Sequence, residues 1–143
     1  MKGKRIVFSL AVVISLLVLS GCGKEQILRC KVTQSKVDVG YNVTFKGSKI
    51  TKMDLSYDMD LTSYTDAQIK LLEEKDFCEV VKTSMSQYKD AFMNCNDTIA
   101  NKHLSVTADL SVDKIANNEL EKFSSIEKSK EGLEKMGYTC TIE

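Results

Sequence analysis

The chain has 143 residues, and its 20 basic side chains balance its 20 acidic ones. No basic run or patch stands out, which argues against nucleic acid as a partner. The length suits one small domain, and the odd count of 5 cysteines raises the question of what the unpaired one does.

The stretch 1–21 is predicted to be a lipoprotein signal peptide. Lys2, Lys4 and Arg5 give it a basic start, and 6–19 is an apolar run of 14 residues interrupted only by two serines. A helix that spans a membrane needs about 20 apolar residues. The shorter run therefore favours a cleaved secretory signal over a retained anchor helix.

Residues 19–22, Leu-Ser-Gly-Cys, resemble the bacterial lipobox, in which a branched apolar residue and two small residues precede a cysteine. The resemblance implies that the Cys22 thiol receives a diacylglyceryl group and that the signal is cut between Gly21 and Cys22. Two acyl chains, at about 0.8 kcal/mol per buried methylene, anchor a protein stably. We therefore expect lipid anchoring to the bacterial cell membrane, on the extracytoplasmic side.

Cleavage would leave a lipidated tether, 22–26, and a single α+β domain, 27–143. It would also remove three basic residues, leaving 17 basic against 20 acidic ones, a net charge of about −3. Anionic lipid head groups would gain little from such a chain, so the acyl anchor is expected to make the membrane contact. At about 3.5 Å per residue, the tether keeps the domain within roughly 15 Å of the bilayer.

The segment 27–61 predicts three antiparallel strands, because apolar and polar residues alternate along it and the connections are short. Gly47 and Ser48 are suited to a hairpin turn between the second and third strands. The alternation predicts one face packed on the core and one face in water. The wet face is predicted to carry Arg29, Lys31, Thr33, Asn42, Thr44, Lys52, Asp54 and Ser56, with Ser105, Thr107 and Asp109 from a later strand.

The pattern then changes to a helical period. Thr65 and Gln68 match a capping box, and an apolar stripe follows, which together predict one helix over about 66–89 that covers the apolar sheet face. Met93, Cys95 and Ile99 share a parity and predict a strand. Alternation over 104–112 predicts another strand, with a turn at 101–102 between the two.

The remainder, 113–143, begins with a stretch to residue 123 that fits either an irregular connection or a short helix. Ser124 and Glu127 form a second capping box, and Gly137 is placed as the left-handed end of the helix that follows. A last short strand covers 138–142. The predicted order βββαββαβ gives a mainly antiparallel sheet with helices packed on one face, an α+β fold. The inward-facing residues are predicted to include Val39, Tyr41, Val43, Phe45, Leu55, Tyr57, Val81, Met85, Val106, Ala108 and Leu110.

With Cys22 assigned to lipid, four cysteines remain, and each falls on the apolar face of its predicted element. An even number in an exported domain suggests disulfides, with three connectivities open, against the alternative of four buried free thiols. The first and last strands can be neighbours, and the long helix precedes the strand that carries Cys95. We therefore predict Cys30–Cys140 and Cys78–Cys95 pairs.

No residue set predicts catalysis, a metal or a cofactor. The cysteines have no CxxC spacing, and the sole histidine, His103, is expected to be a solvated turn residue. Asp54, Asp58 and Asp60 form a linear row on one strand rather than a convergent set of oxygens. No GxSxG, HExxH or phosphate-binding glycine loop occurs.

The lipobox, the size and the three-strand start followed by a capped helix resemble the YehR-like family of small bacterial lipoproteins. The resemblance extends over most of the mature chain and rests on the order of the predicted elements and on their residue patterns. It implies a lipid-anchored envelope protein, and Cys22 is the one functional residue that it assigns.

The expected function is that of a membrane-anchored envelope lipoprotein, a non-catalytic binding or accessory module. It would bind through the wet sheet face, and the sequence does not identify a protein partner. That face has no aromatic residues, which disfavours glycan binding. One alternative is a small enzyme or an accessory subunit of one, which a pocket containing His103 and a carboxylate would favour. Another is a carrier of an apolar ligand, which requires a cavity of a few hundred Å³ between sheet and helices.

Overall fold

The structure, a computed structural model, describes residues 23–143, so the predicted signal peptide and Cys22 lie outside the described residues. Six strands form one antiparallel sheet in the order β4-β5-β3-β2-β1-β6. The predicted α+β class with a mainly antiparallel sheet is confirmed. The strands are β1 (Glu25–Gln34), β2 (Val37–Lys46), β3 (Lys49–Asp60), β4 (Phe92–Ala100), β5 (His103–Leu110) and β6 (Thr139–Ile142).

Helices connect β3 to β4 and β5 to β6. The α-helices are α1 (Asp66–Glu73), α2 (Phe77–Ser84), α3 (Asn117–Leu120) and α4 (Ile126–Lys135). Short 3-10 helices cover Ser86–Ala91, Val112–Lys114 and Glu121–Phe123. The segment 113–123, ambiguous in sequence, therefore contains most of the second of these 3-10 helices, all of α3 and all of the last 3-10 helix.

The core forms two clusters on the helix-covered face of the sheet. One includes Phe45 and Leu28, and the other includes Leu61; the side chains of Tyr88 and Phe92 pack against both. The predicted register is confirmed, since eight of the eleven predicted inward residues are buried and the other three are partly buried against the second cluster. Within 23–143, each core cluster combines side chains from the sheet and from the helices, as expected of a domain that folds independently.

The prediction of one helix over 66–89 is wrong. α1 begins with the predicted Thr65–Gln68 capping box but ends at Glu73, and α2 begins after a new N-cap, Asp76, whose carboxylate accepts a hydrogen bond from the Glu79 N–H at 2.9 Å. The Asp97 carboxylate on β4 also accepts hydrogen bonds from the N–H groups of Phe77 at 2.7 Å and Cys78 at 3.3 Å. Two carboxylates at the N-terminus stabilise the second start.

The strand parity predicted for β4 is wrong at its first residues. The register with β5 shifts between Phe92 and Asn94, so Phe92 packs on the core and Met93 is 58% exposed. An extra residue in one strand reverses the facing of the residues on one side of it. Cys95 and Ile99, beyond the shift, pack against the second core cluster as expected.

Two smaller predictions are also wrong. Thr44, placed on the wet face, is buried, at a position where the β2–β3 register shifts and the Thr51 hydroxyl donates to the Thr44 carbonyl. The N-cap of α4 is Ser125 rather than Ser124, since the Ser125 hydroxyl accepts from the Lys128 N–H at 3.2 Å. Gly137 ends this region in the left-handed conformation, with φ of 96°, as predicted.

Two disulfides form, and they join the pairs of elements predicted from the apolar facing of the four cysteines. Cys30 on β1 lies directly opposite Cys140 on β6, and the two are bonded across 110 residues of chain. Cys78 on α2 is bonded to Cys95 on β4, across 17 residues. The first disulfide holds the short edge strand to the sheet, and the second holds α2 against the opposite edge strand.

Candidate ligand site between sheet and helices

A cavity of about 320 Å³ lies between the helix-covered face of the sheet and the helices. Its floor is made by Tyr41 of β2, Met53 of β3 and Leu110 of β5, which all point to this face because they share the inward parity of their strands. The volume lies near the lower end of the range of small-molecule sites, roughly 300–1,000 Å³. It equals roughly ten times the volume that one water molecule occupies in the liquid.

Two groups of helical residues form the walls of the cavity. Met85 and Tyr88 stand on one side, at the end of α2 and in the 3-10 helix after it, and Phe123 and Leu133 stand on the other. Gly132, in the middle of α4, adds no side chain, and a Cβ built there meets no atom within 4 Å. Gly132 is exposed and lies at the open edge of the cavity, where it contributes backbone only.

Tyr41 and Tyr138 close one end of the site. Their ring centroids lie 5.6 Å apart with the planes tilted by 56°, a favourable arrangement for an aromatic pair. Burial raises the pKa of Tyr41 far above its ordinary value, and the neighbouring Tyr138 adds to the increase. Tyr41 is therefore neutral at physiological pH and presents an uncharged ring to the cavity.

The polar part of the lining is a hydrogen-bonded triad at the rim. The Tyr88 hydroxyl donates to the Glu119 Oε2 atom at 3.0 Å, and the Lys122 ammonium donates to the same oxygen at 2.7 Å. Burial, with the hydrogen bond to Glu119 next, raises the pKa of Tyr88 to about 12. The bonds from Lys122 and then Tyr88 hold the pKa of Glu119 below its ordinary value. The rim therefore carries an ionised carboxylate that joins the two walls.

Sequence reasoning did not find this triad. Tyr88 falls within the predicted helix 66–89, and Glu119 falls within the ambiguous stretch 113–123. Their hydrogen bond spans 31 residues, so no short-range spacing indicates it. The one local signal is the i, i+3 pair of Glu119 and Lys122, which is common on solvated helices.

His103 meets a carboxylate, but on the open face of the sheet. Its Nδ1 atom lies 3.1 Å from Asp58 Oδ1, and the Ser105 hydroxyl donates to Asp58 Oδ2 at 2.8 Å. In a hydrolytic triad the serine donates to the histidine, whereas here the carboxylate takes both partners. His103 and Asp58 are each about half exposed, and neither lines the cavity. The arrangement orients polar side chains on a strand surface and does not activate a nucleophile.

Replacing His103 with Ala is expected to change the free energy of unfolding by less than about 0.5 kcal/mol, because His103 and Asp58 are both about half exposed and surface substitutions change stability little. Urea unfolding of the two proteins measures the difference. Asp58→Ala serves as the comparison, since it removes the acceptor of both His103 and Ser105. A strong loss of function in a His103→Ala protein that folds normally would favour the enzyme alternative.

The acidic side chains that could attract a cation have other partners. Asp76, Cys78 and Asp97 lie within 4.8 Å of one another, but the Cys78 sulfur is in a disulfide and each carboxylate accepts helix N–H groups. In the predicted aspartate row, the Lys52 ammonium pairs with Asp54, His103 with Asp58, and the Thr62 N–H with Asp60. The row therefore does not converge on one point.

Comparisons with protein-family models, with curated proteins and with solved structures found no match to this chain. Within 23–143, none of the helices has both the length and the apolar character needed to cross a membrane.

Proposed function

We propose that the chain is a membrane-anchored envelope lipoprotein whose domain is a non-catalytic binding module for an apolar ligand. The observation that carries the proposal is the cavity of about 320 Å³ between sheet and helices. It has the place and the volume that the ligand-carrier hypothesis requires, and most of its lining is methionine, leucine and aromatic side chains. Methionine adapts its shape readily, which suits a site for a flexible apolar chain.

The geometry of the N-terminal end supports the anchored state. β1 begins at Glu25, three residues after Cys22, so the sheet starts within about 10 Å of the proposed lipid attachment point. Glu25 pairs with Lys46 beside the β2–β3 turn, which places this turn at the same end of the sheet. The membership of the YehR-like family stays a prediction, and the anchor rests on the lipobox.

The wet face of the sheet supports a binding role less specifically, although an open concavity lies on it beside Arg29, Lys31 and Asp58. Its polar side chains are largely paired with one another, as in the Lys31–Asp38 ion pair at 3.0 Å. Solvated sheet faces that bind nothing look the same. The cavity therefore supports an apolar ligand more specifically than the wet face supports a protein partner.

Blocking the cavity tests the proposal. Gly132→Phe should lower the affinity for decanol at least about tenfold, because Gly132 lines the cavity and a ring at this position narrows its open edge. The first added carbon meets no atom within 4 Å, so the helix should accept the substitution. Isothermal titration calorimetry with fragment 23–143 measures the affinity.

Gly132→Ala is the matched control at the same position. One methyl group leaves most of the volume free, so decanol binding should persist, while the helix gains up to about 1 kcal/mol from losing its glycine. Equal decanol affinity in the Phe variant and the unchanged protein would contradict the proposed function.

A further inference from the structure

We propose that the ligand of the cavity is an amphiphile with a cationic amine head, whose ammonium group replaces that of Lys122 on the Glu119 carboxylate. The inference rests on the proposed function and names the chemical class that the site selects. It follows from two properties of the rim triad: Glu119 is held in place, whereas Lys122 can leave its hydrogen bond.

Glu119 is the fixed partner. Its side chain is 17% exposed, and the Tyr88 hydroxyl holds its Oε2 atom at 3.0 Å from the opposite wall. Tyr88 itself packs against both core clusters, so the hydroxyl cannot easily move away. A carboxylate placed in this way at the end of an apolar cavity is a permanent acceptor for a cation.

Lys122 is the exchangeable partner. Its side chain is 64% exposed, although its ammonium group bonds to Glu119 at 2.7 Å. When a ligand ammonium takes its place, the Lys122 ammonium returns to water, where it is fully solvated, and no buried group loses its partner. Exposed lysine pairs contribute little to stability, so the exchange costs little.

The other head-group classes fit less well. A ligand carboxylate would have to displace Glu119 from both of its donors or lie beside it, and like charges at that distance repel. A hydroxyl would bring no charge to the carboxylate. The aromatic rings of Tyr41, Tyr88 and Phe123 line the same cavity and attract cations rather than anions.

Three ligands with the same ten-carbon chain test the inference, namely decylamine, decanol and decanoate. Calorimetry at neutral pH with fragment 23–143 should show decylamine binding about tenfold more tightly than decanol, and decanoate more weakly than either. Glu119→Gln keeps the size of the side chain and removes the charge, so it should abolish the preference for the amine. Glu131→Gln is the matched control, because it removes a lysine-paired glutamate from the same region, the partner of Lys135 at 2.6 Å, that does not line the cavity.

Lys122→Gln gives a further test, in which the substitution should not lower the affinity for decylamine. It removes the competing ammonium, so decylamine should bind at least as tightly as to the unchanged protein. Equal affinity for decylamine and decanol, or tightest binding of decanoate, would overturn the inference and leave the apolar binding function standing. Failure of all three ligands to bind would overturn the proposed function as well. Circular dichroism confirms that each variant is folded before its affinities are compared.

Discussion

Removing the Cys30–Cys140 disulfide by replacing both cysteines with Ala is expected to lower the free energy of unfolding by about 4 to 5 kcal/mol. The bond closes a loop of 110 residues, so its loss releases a large conformational entropy in the unfolded chain. It also holds β6, a strand of four residues that pairs only with β1 in the described sheet. Urea unfolding under non-reducing conditions measures the change.

The Cys78→Ala, Cys95→Ala double variant is the internal comparison. Its loop spans 17 residues, so the expected loss is smaller, about 3 kcal/mol. A non-reducing peptide map should recover both pairs from the unchanged protein. Any other pairing, or equal stability of the Cys30→Ala, Cys140→Ala protein and its parent, would contradict the assignment.

The sheet could be predicted from sequence because its signals are local. Alternation along β2, β3 and β5 shows directly which residues face the core, and short turns at Gly47 and Asn101 limit how neighbouring strands can pair. The same facing rule places all four disulfide cysteines in the layer between sheet and helices. Long-range pairing of Cys30 with Cys140 follows once the first and last strands are taken as neighbours.

The break between α1 and α2 could not be read from periodicity. In the sequence, the spacing of Leu71 from the apolar residues of α2 resembles that of one helix. In the structure Leu71 is 62% exposed, and α1 packs through Ile69 and Leu72 instead. The distinguishing signals are the cap at Asp76 and the carboxylate of Asp97, and the second acts from a strand about 20 residues away. The predicted inward facing of Met93 is wrong for a similar reason. The register shift in β4 depends on the pairing of this strand with β5 and not on its own sequence.

The ligand-carrier hypothesis names the layer in which a cavity would lie, but the sequence does not indicate which residues line it. An empty volume arises where side chains are absent or too short to meet, and a missing contact leaves no periodic pattern. The rim triad is equally hidden, since Tyr88 and Glu119 lie in different connections between strands. Sequence therefore predicts the layers of this fold better than the space between them.

Replacing Cys22 with Ala is expected to leave the precursor uncleaved and without lipid, because the thiol is the atom to which the diacylglyceryl group is attached in the proposed processing. Membrane fractionation, metabolic labelling with palmitate and the mass of the purified protein measure the effect in intact bacteria. Ser20→Ala is the matched control, since it keeps a small residue before the cut and should be processed normally. The domain itself should fold in both variants, because Cys30, Cys78, Cys95 and Cys140 pair with one another and leave Cys22 outside the disulfides. Cleavage of the Cys22→Ala protein at the same bond, or palmitate incorporation into it, would contradict the lipobox assignment while leaving the ligand site of the domain untouched.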